Sequence, residues 1–181
     1  MKTLHKILIS LGIIILIGIL IIIDIADRDI YYSIHIPKKE MTEFHFYQSI
    51  EEKKQAYEKK YGNSEWNFPK GKTETIKLYK NKLLISRISA KTLSKRSKKE
   101  MINFLNNSEN FNWSETTWSL NEAEYILRFY NSENKEIGKV WLCLEGCGMT
   151  KSIPFSPNMK FGGISQVGKS RIMEILKLIN T

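Results

Sequence analysis

The chain has 181 residues, 28 Lys and Arg against 19 Asp and Glu, a formal net charge of +9 and two cysteines. Setting aside an N-terminal apolar run leaves about 155 residues, enough to bury one core, with no composition break that suggests two domains. The basic excess suits nucleic acid, anionic lipid or an acidic partner, and beyond the Ile-rich run there is no internal repeat or low-complexity tract.

Residues 7–23, ILISLGIIILIGILIII, carry no charge and interrupt Ile and Leu only with Ser10, Gly12 and Gly18. At 1.5 Å per residue they cover about 26 Å of a hydrocarbon core of roughly 30 Å. With Leu4 or Ile25 recruited, or slight bilayer thinning, the segment spans. Lys2 and Lys6 precede it, and Asp24, Asp27 and Asp29 outweigh Arg28 after it. The positive-inside rule then leaves the N-terminus in the cytoplasm and residues 24–181 outside. A cleaved signal peptide shares the basic start and the apolar stretch. Against it stand the length of the run, the lack of an A-x-A-like pair and the absence of a following Cys to lipidate. The expected division is 1–25 as cytoplasmic start and transmembrane anchor, 26–72 as tether, and 73–181 as an extracytoplasmic α+β domain.

In the tether, Ile30, Tyr32, Ile34 and Ile36 alternate ahead of Pro37, which predicts a short strand. Residues 48–61 place Ile50, Tyr57 and Tyr61 near one face of a polar helix, with Gly62 suited to its cap. Residues 63–72 read as loop. Residues 73–88 fit a hairpin in which Ile76 and Leu78 alternate and 83–88 return. The spacing Ser97-Lys98-Lys99-Glu100 is that of a capping box, followed by Met101, Ile102, Phe104 and Leu105, so a helix lies within about 92–106. Residues 123–153 carry the strongest β signal. Tyr125, Leu127 and Phe129 share one strand face, 131–134 turn, 137–144 return, and a third strand runs within 148–153 before Pro154 and Pro157. Ser165 caps a last helix with Ile172, Ile175, Leu176 and Ile179 at i, i+3, i+4 and i+7. The whole is an α+β domain with an antiparallel sheet at whose centre the 125–144 hairpin sits, closed by packed helices including a C-terminal one.

Charge outside the membrane is uneven. There 26 Lys and Arg face all 19 acids, for +7; residues 76–100 hold nine basic groups and one acid, and 101–150 hold three basic groups and seven acids. Lys91, Lys95, Arg96, Lys98 and Lys99 form a candidate contact with an anionic surface, whereas the inferred location argues against nucleic acid. Trp113 and Trp118, with Glu115 and Glu122 nearby, are the candidate contacts for a protein partner, although aromatic residues here also serve as core. Glu122 and Glu124 would share a strand face, as a carboxylate pair or a solvated rim.

Cys143 and Cys147 are the only cysteine constellation. A three-residue loop over 144–146, with Gly146 left-handed, would set them opposite each other within disulfide range. Reduced thiols, a redox-active pair and a metal site are the other readings, the last weakened by His35 and His45 lacking zinc-finger spacing. Residues 163–170, GISQVGKS, match the Walker A expression. Only eleven residues follow Ser170, and 157–161 make a poor strand, so neither a P-loop nor a bound nucleotide is expected. No cofactor is implied.

From about Phe111 onward the chain resembles a loosely defined group of small bacterial exported or membrane-tethered domains of unknown function. The residues that carry the resemblance are Tyr125-Ile126-Leu127-Arg128-Phe129-Tyr130, the Cys143 to Cys147 turn, and Phe161-Gly162-Gly163-Ile164-Ser165 leading to Gly168. It implies a sheet with a closing helix and no chemistry. The expectation is a single-pass, membrane-anchored, extracytoplasmic binding domain of the kind immunity or envelope-associated proteins provide, with a protein partner and no catalysis. Thiol–disulfide chemistry at Cys143 and Cys147, and lipid contact through 76–100, are the alternatives.

Overall fold

Helix α1 runs Lys2–Ser33, in a computed structural model that describes residues 2–33, 50–61, 66–82, 90–112, 123–144, 150–154, 156–159 and 163–180. Within α1, Leu4–Ile25 has mean hydropathy 3.1 and stands almost wholly outside any core. It is long and apolar enough to cross a membrane. Asp24, near its end, is buried. The strand expected over 30–36 is not formed where it is described: residues 30–33 continue α1, and 34–36 lie outside the described residues. A nucleated helix adds residues at the small expense of propagation, which overrides a short period-two pattern. The polar helix is present as α2, Ile50–Tyr61.

Five strands follow: β1 Thr75–Lys80, β2 Lys91–Thr92, β3 Tyr125–Tyr130, β4 Glu136–Leu142 and β5 Lys151–Ile153. They form one sheet in the order β2-β1-β3-β4-β5, and every neighbouring pair is antiparallel. Helices α3, Lys95–Leu105, and α4, Gln166–Asn180, complete an α+β domain. As expected, β3 and β4 are a hairpin, with β3 at the centre of the sheet. In their turn Asn131 Oδ1 accepts from the backbone N–H groups of Glu133 and Lys135, and Asn134 takes the left-handed conformation that Asn tolerates. The strand pairing with β1 on its outer side is Lys91–Thr92; the return expected over 83–88 lies outside the described residues.

The period of two sorts each strand. Ile76 and Leu78 from β1, Leu127 and Phe129 from β3, and Val140 and Leu142 from β4 enter one core with Phe68, Met101, Phe104, Leu105, Ile172, Ile175 and Leu176. Each such side chain, once buried, contributes about 1.5–3 kcal/mol. Ala123, Ile126 and Trp141 make a second cluster on the other face. Phe68, which the sequence assigns to the tether, belongs to the main core: its ring meets Phe129 edge to face at 5.0 Å between centroids. Gly138, opposite Phe129, leaves room for it, since a Cβ there would lie 2.9 Å from Phe68 Cζ.

Helix α3 starts earlier than the capping box implies. Ser94, not Ser97, is the N-cap, its hydroxyl accepting from the Ser97 N–H at 3.1 Å. Ser97 is the third helical residue and is buried with Met101, Phe104 and Leu105, at i, i+4, i+7 and i+8. Asn106 ends the helix by joining it to Phe68. Its Nδ2 donates to the carbonyls of Ile102 (2.9 Å) and Phe68 (2.7 Å), and its Oδ1 accepts from the Phe68 N–H at 2.7 Å.

Helix α4 is capped as expected, the Gly168 N–H donating to Ser165 Oγ at 3.0 Å. Ahead of it, Ile164 bridges antiparallel to Phe111, and the Ser165 N–H donates to the Asn110 carbonyl at 2.8 Å. Asn110 is buried; its Nδ2 donates to the Phe104 carbonyl and its Oδ1 accepts from the Arg171 guanidinium. One asparagine thus joins the end of α3 to the start of α4.

Candidate interaction surfaces

Two cationic surfaces emerge, and their surroundings differ. On the sheet face turned away from the main core, Lys77 pairs across the strands with Arg128, and Arg128 with Lys139. Like charges directly opposite repel. Each, however, lies over an aromatic ring: Lys77 Nζ is 5.3 Å from the Tyr130 centroid, Arg128 5.6 Å from Tyr79, and Lys139 Nζ 4.6 Å from Trp141. Arg128 also donates to Glu136 at 2.8 Å. Lys139 and Trp141 are buried. Contacts of this kind stabilise by about 0.5–2 kcal/mol each, and they turn the row into a layer of the fold. The signal for it was in the sequence as a thrice-repeated triplet of cation, apolar and aromatic residue, Lys77-Leu78-Tyr79, Arg128-Phe129-Tyr130 and Lys139-Val140-Trp141.

Two groups on this sheet have shifted proton affinity, with opposite signs. Burial pushes the Lys151 ammonium below its usual 10.5. Between that lowered value and 10.5 the unfolded chain holds a proton that the folded chain lacks, so stability rises with pH across this window. Burial, and then a hydrogen bond with Tyr79, push the Tyr130 phenol well above its usual 10.0. Above pH 10 the unfolded phenol ionises while the folded one does not, and stability falls. In denaturant titrations against pH, Lys151→Gln should therefore lose the rise below 10.5, and Tyr130→Phe should lose the decline above 10. Slopes unchanged from the parent would show that burial at these positions has no such effect.

The second surface is the corner where β2 leads into α3. Lys91, Lys95, Arg96 and Lys99 are exposed there. Lys98 differs from its neighbours: its Nζ donates to the carbonyls of Glu74 (2.5 Å) and Thr73 (3.4 Å), tying α3 to the start of β1. Of the five cations read from the sequence, four face solvent and Lys98 is structural. The first turn of α3 contains no acid, although the positive end of a helix favours Asp or Glu there by about 0.3–1 kcal/mol.

Cys143 is buried and is not a free thiol. Its N–H donates to Thr150 Oγ1 at 3.1 Å. β4 ends at Leu142 and β5 begins at Lys151, with Trp141 opposite Lys151; of the turn expected over 144–146, residues 145 and 146 lie outside the described residues. Cys147 lies outside the described residues. Of the carboxylate pair, Glu124 has a structural task, its Oε2 accepting from the Leu144 N–H at 2.7 Å. Trp113, Glu115, Trp118 and Glu122 lie outside the described residues, as do His35 and His45. Among the described residues, no group of three His, Cys, Asp or Glu could hold a metal ion.

The Walker-like segment is the cap of α4. The Ser165 N–H is bonded to Asn110, the Gly168 N–H to Ser165 Oγ and the Lys169 N–H to the Ser165 carbonyl, so three of the segment's backbone donors are committed within the fold. The bridge to Phe111 is antiparallel, unlike the parallel strand that feeds a P-loop.

Fold and surfaces together define an antiparallel α+β domain carried behind an apolar helix. Compared with known proteins, the chain matches no family model, no curated protein and no solved structure.

Proposed function

We propose that the chain is a single-pass membrane protein with its N-terminus in the cytoplasm and its α+β domain outside, acting there by binding a partner and not by catalysis. One observation carries this reading. The main core closes without a single residue of Leu4–Ile25, so the most apolar stretch of the chain is left for another solvent, and a bilayer is the one it fits. Lys2 and Lys6 before its uncharged run 7–23 and the acids after that run favour the stated orientation. A disulfide between Cys143 and Cys147 belongs to the same reading, supported by Cys143 carrying no free thiol. Thiol exchange is the weaker alternative, because it needs an accessible sulfur and Cys143 is only 3% exposed.

The test is a pair of reporters fused after Thr181 in a bacterial host, a phosphatase active only outside the cytoplasm and a fluorescent protein that matures only inside. Phosphatase activity is expected in the membrane fraction. Fluorescence in its place would overturn the orientation and remove the rationale for the disulfide.

A further inference from the structure

We propose that Lys91, Lys95, Arg96 and Lys99 form a contact surface for the anionic headgroups of the membrane that holds the chain. The inference rests on the anchorage proposed above but not on its orientation. All four are exposed, Lys91 while keeping an interaction of its own, whereas Lys77, Arg128 and Lys139 sit over aromatic rings and Lys98 is bonded to two carbonyls. Their carrier is rigid. The Leu93 N–H is bonded to the Ile76 carbonyl, Leu93 is buried, and Met101, Phe104 and Leu105 seat α3 in the core, so the backbone that carries the four charges is held in place. Of the four, Lys95 and Arg96 stand in the first turn of α3, where the helix dipole disfavours cations, and an adjacent anionic surface offsets that repulsion.

The chemistry of the corner selects a charged surface over a nucleic acid. Residues 91–99, KTLSKRSKK, contain no aromatic side chain on which a base could stack, and no acid. Diffuse attraction to a layer of phosphates needs only point charges, each worth about fivefold in the contact equilibrium near an anionic leaflet. Tethering makes that attraction effective. A domain attached to the bilayer meets its headgroups at high local concentration, so a patch too weak to capture vesicles from solution still docks.

The full chain is reconstituted into nanodiscs of phosphatidylcholine, or of phosphatidylcholine mixed with phosphatidylglycerol, and lysine acetylation is read residue by residue. In the anionic discs Lys95 and Lys99 should react about fivefold more slowly relative to Lys169, exposed on α4, and high salt should abolish the difference. Combining Lys95→Glu, Arg96→Glu and Lys99→Glu should remove the protection at Lys91. Acids suit the first turn of α3, so this variant keeps its fold, which its circular dichroism would verify. Equal reactivity in both kinds of disc, with the protein inserted in each, would overturn the proposal while leaving the anchor intact. Protection by an added soluble polyanion but not by anionic lipid would overturn it as well. Failure to enter either disc would overturn the anchorage, and the contact with it.

Discussion

Gly168→Ala is expected to destabilise the domain by about 3 kcal/mol, although alanine is the better helix former by about 1 kcal/mol. A Cβ at this position would collide with the Asn110 carbonyl oxygen, lie 2.7 Å from Ile164 Cγ2 and 2.9 Å from the Asn110 carbonyl carbon. The Asn110 carbonyl cannot move aside: its oxygen accepts from Ser165, and its side chain is bonded to Phe104 and Arg171. Helix α4 would have to withdraw instead, weakening the Ser165 and Arg171 hydrogen bonds at about 1 kcal/mol or more each. For a domain near a hundred residues, the melting temperature should fall by roughly 10–15 °C. A melting temperature equal to or above the parent's would show that the first turn of α4 is not pressed against Asn110.

Phe129→Ala should be the most damaging change in the sheet, at about 4 kcal/mol, toward the upper part of the range for Phe truncations. Phe129 is completely buried. The severity depends on whether neighbours can collapse into the space. Gly138, directly opposite, has no side chain to offer, and Phe68 is held at both its N–H and its carbonyl by Asn106. The void stays open. Denaturant midpoints would measure the loss; below about 1 kcal/mol, the Phe68 segment must be free to move inward. Asn106→Ala in the Phe129→Ala background would then distinguish a clamped Phe68 from a mobile one, since the two changes share a partner and should not add.

These two positions show why some of the fold is readable from sequence and some is not. The hairpin of β3 and β4, the last helix and its Ser165 cap declare themselves within a short window, through alternation at Tyr125, Leu127 and Phe129 and the helical spacing of Ile172, Ile175 and Leu176. The Asn106 clamp joins residues 38 apart, and the link between Arg171 and Asn110 spans 61. No window of eleven to eighteen residues contains them. Gly168 looks like part of a nucleotide motif because the pattern registers its glycine without showing what presses on it. Helix α3 lies within the expected 92–106, but its cap is not the one the capping-box spacing suggests: Ser94 and Ser97 both have cap chemistry, and the choice falls to the frame that buries Met101, Phe104 and Leu105 together. For the candidate surfaces, composition found the basic segment, but only geometry separates Lys98, spent on backbone carbonyls, from the four charges that face outward.

Among the described residues both margins of the sheet are stubs, two residues in β2 and three in β5, and lysines stand at Lys91 and Lys151. Long bare margins invite a neighbouring chain to add itself as a further strand. On a bilayer, where tethered molecules diffuse in a plane and collide often, such zippering would be a constant hazard. Under the anchorage proposed above, short margins bearing lysines would disfavour strand addition between neighbouring copies.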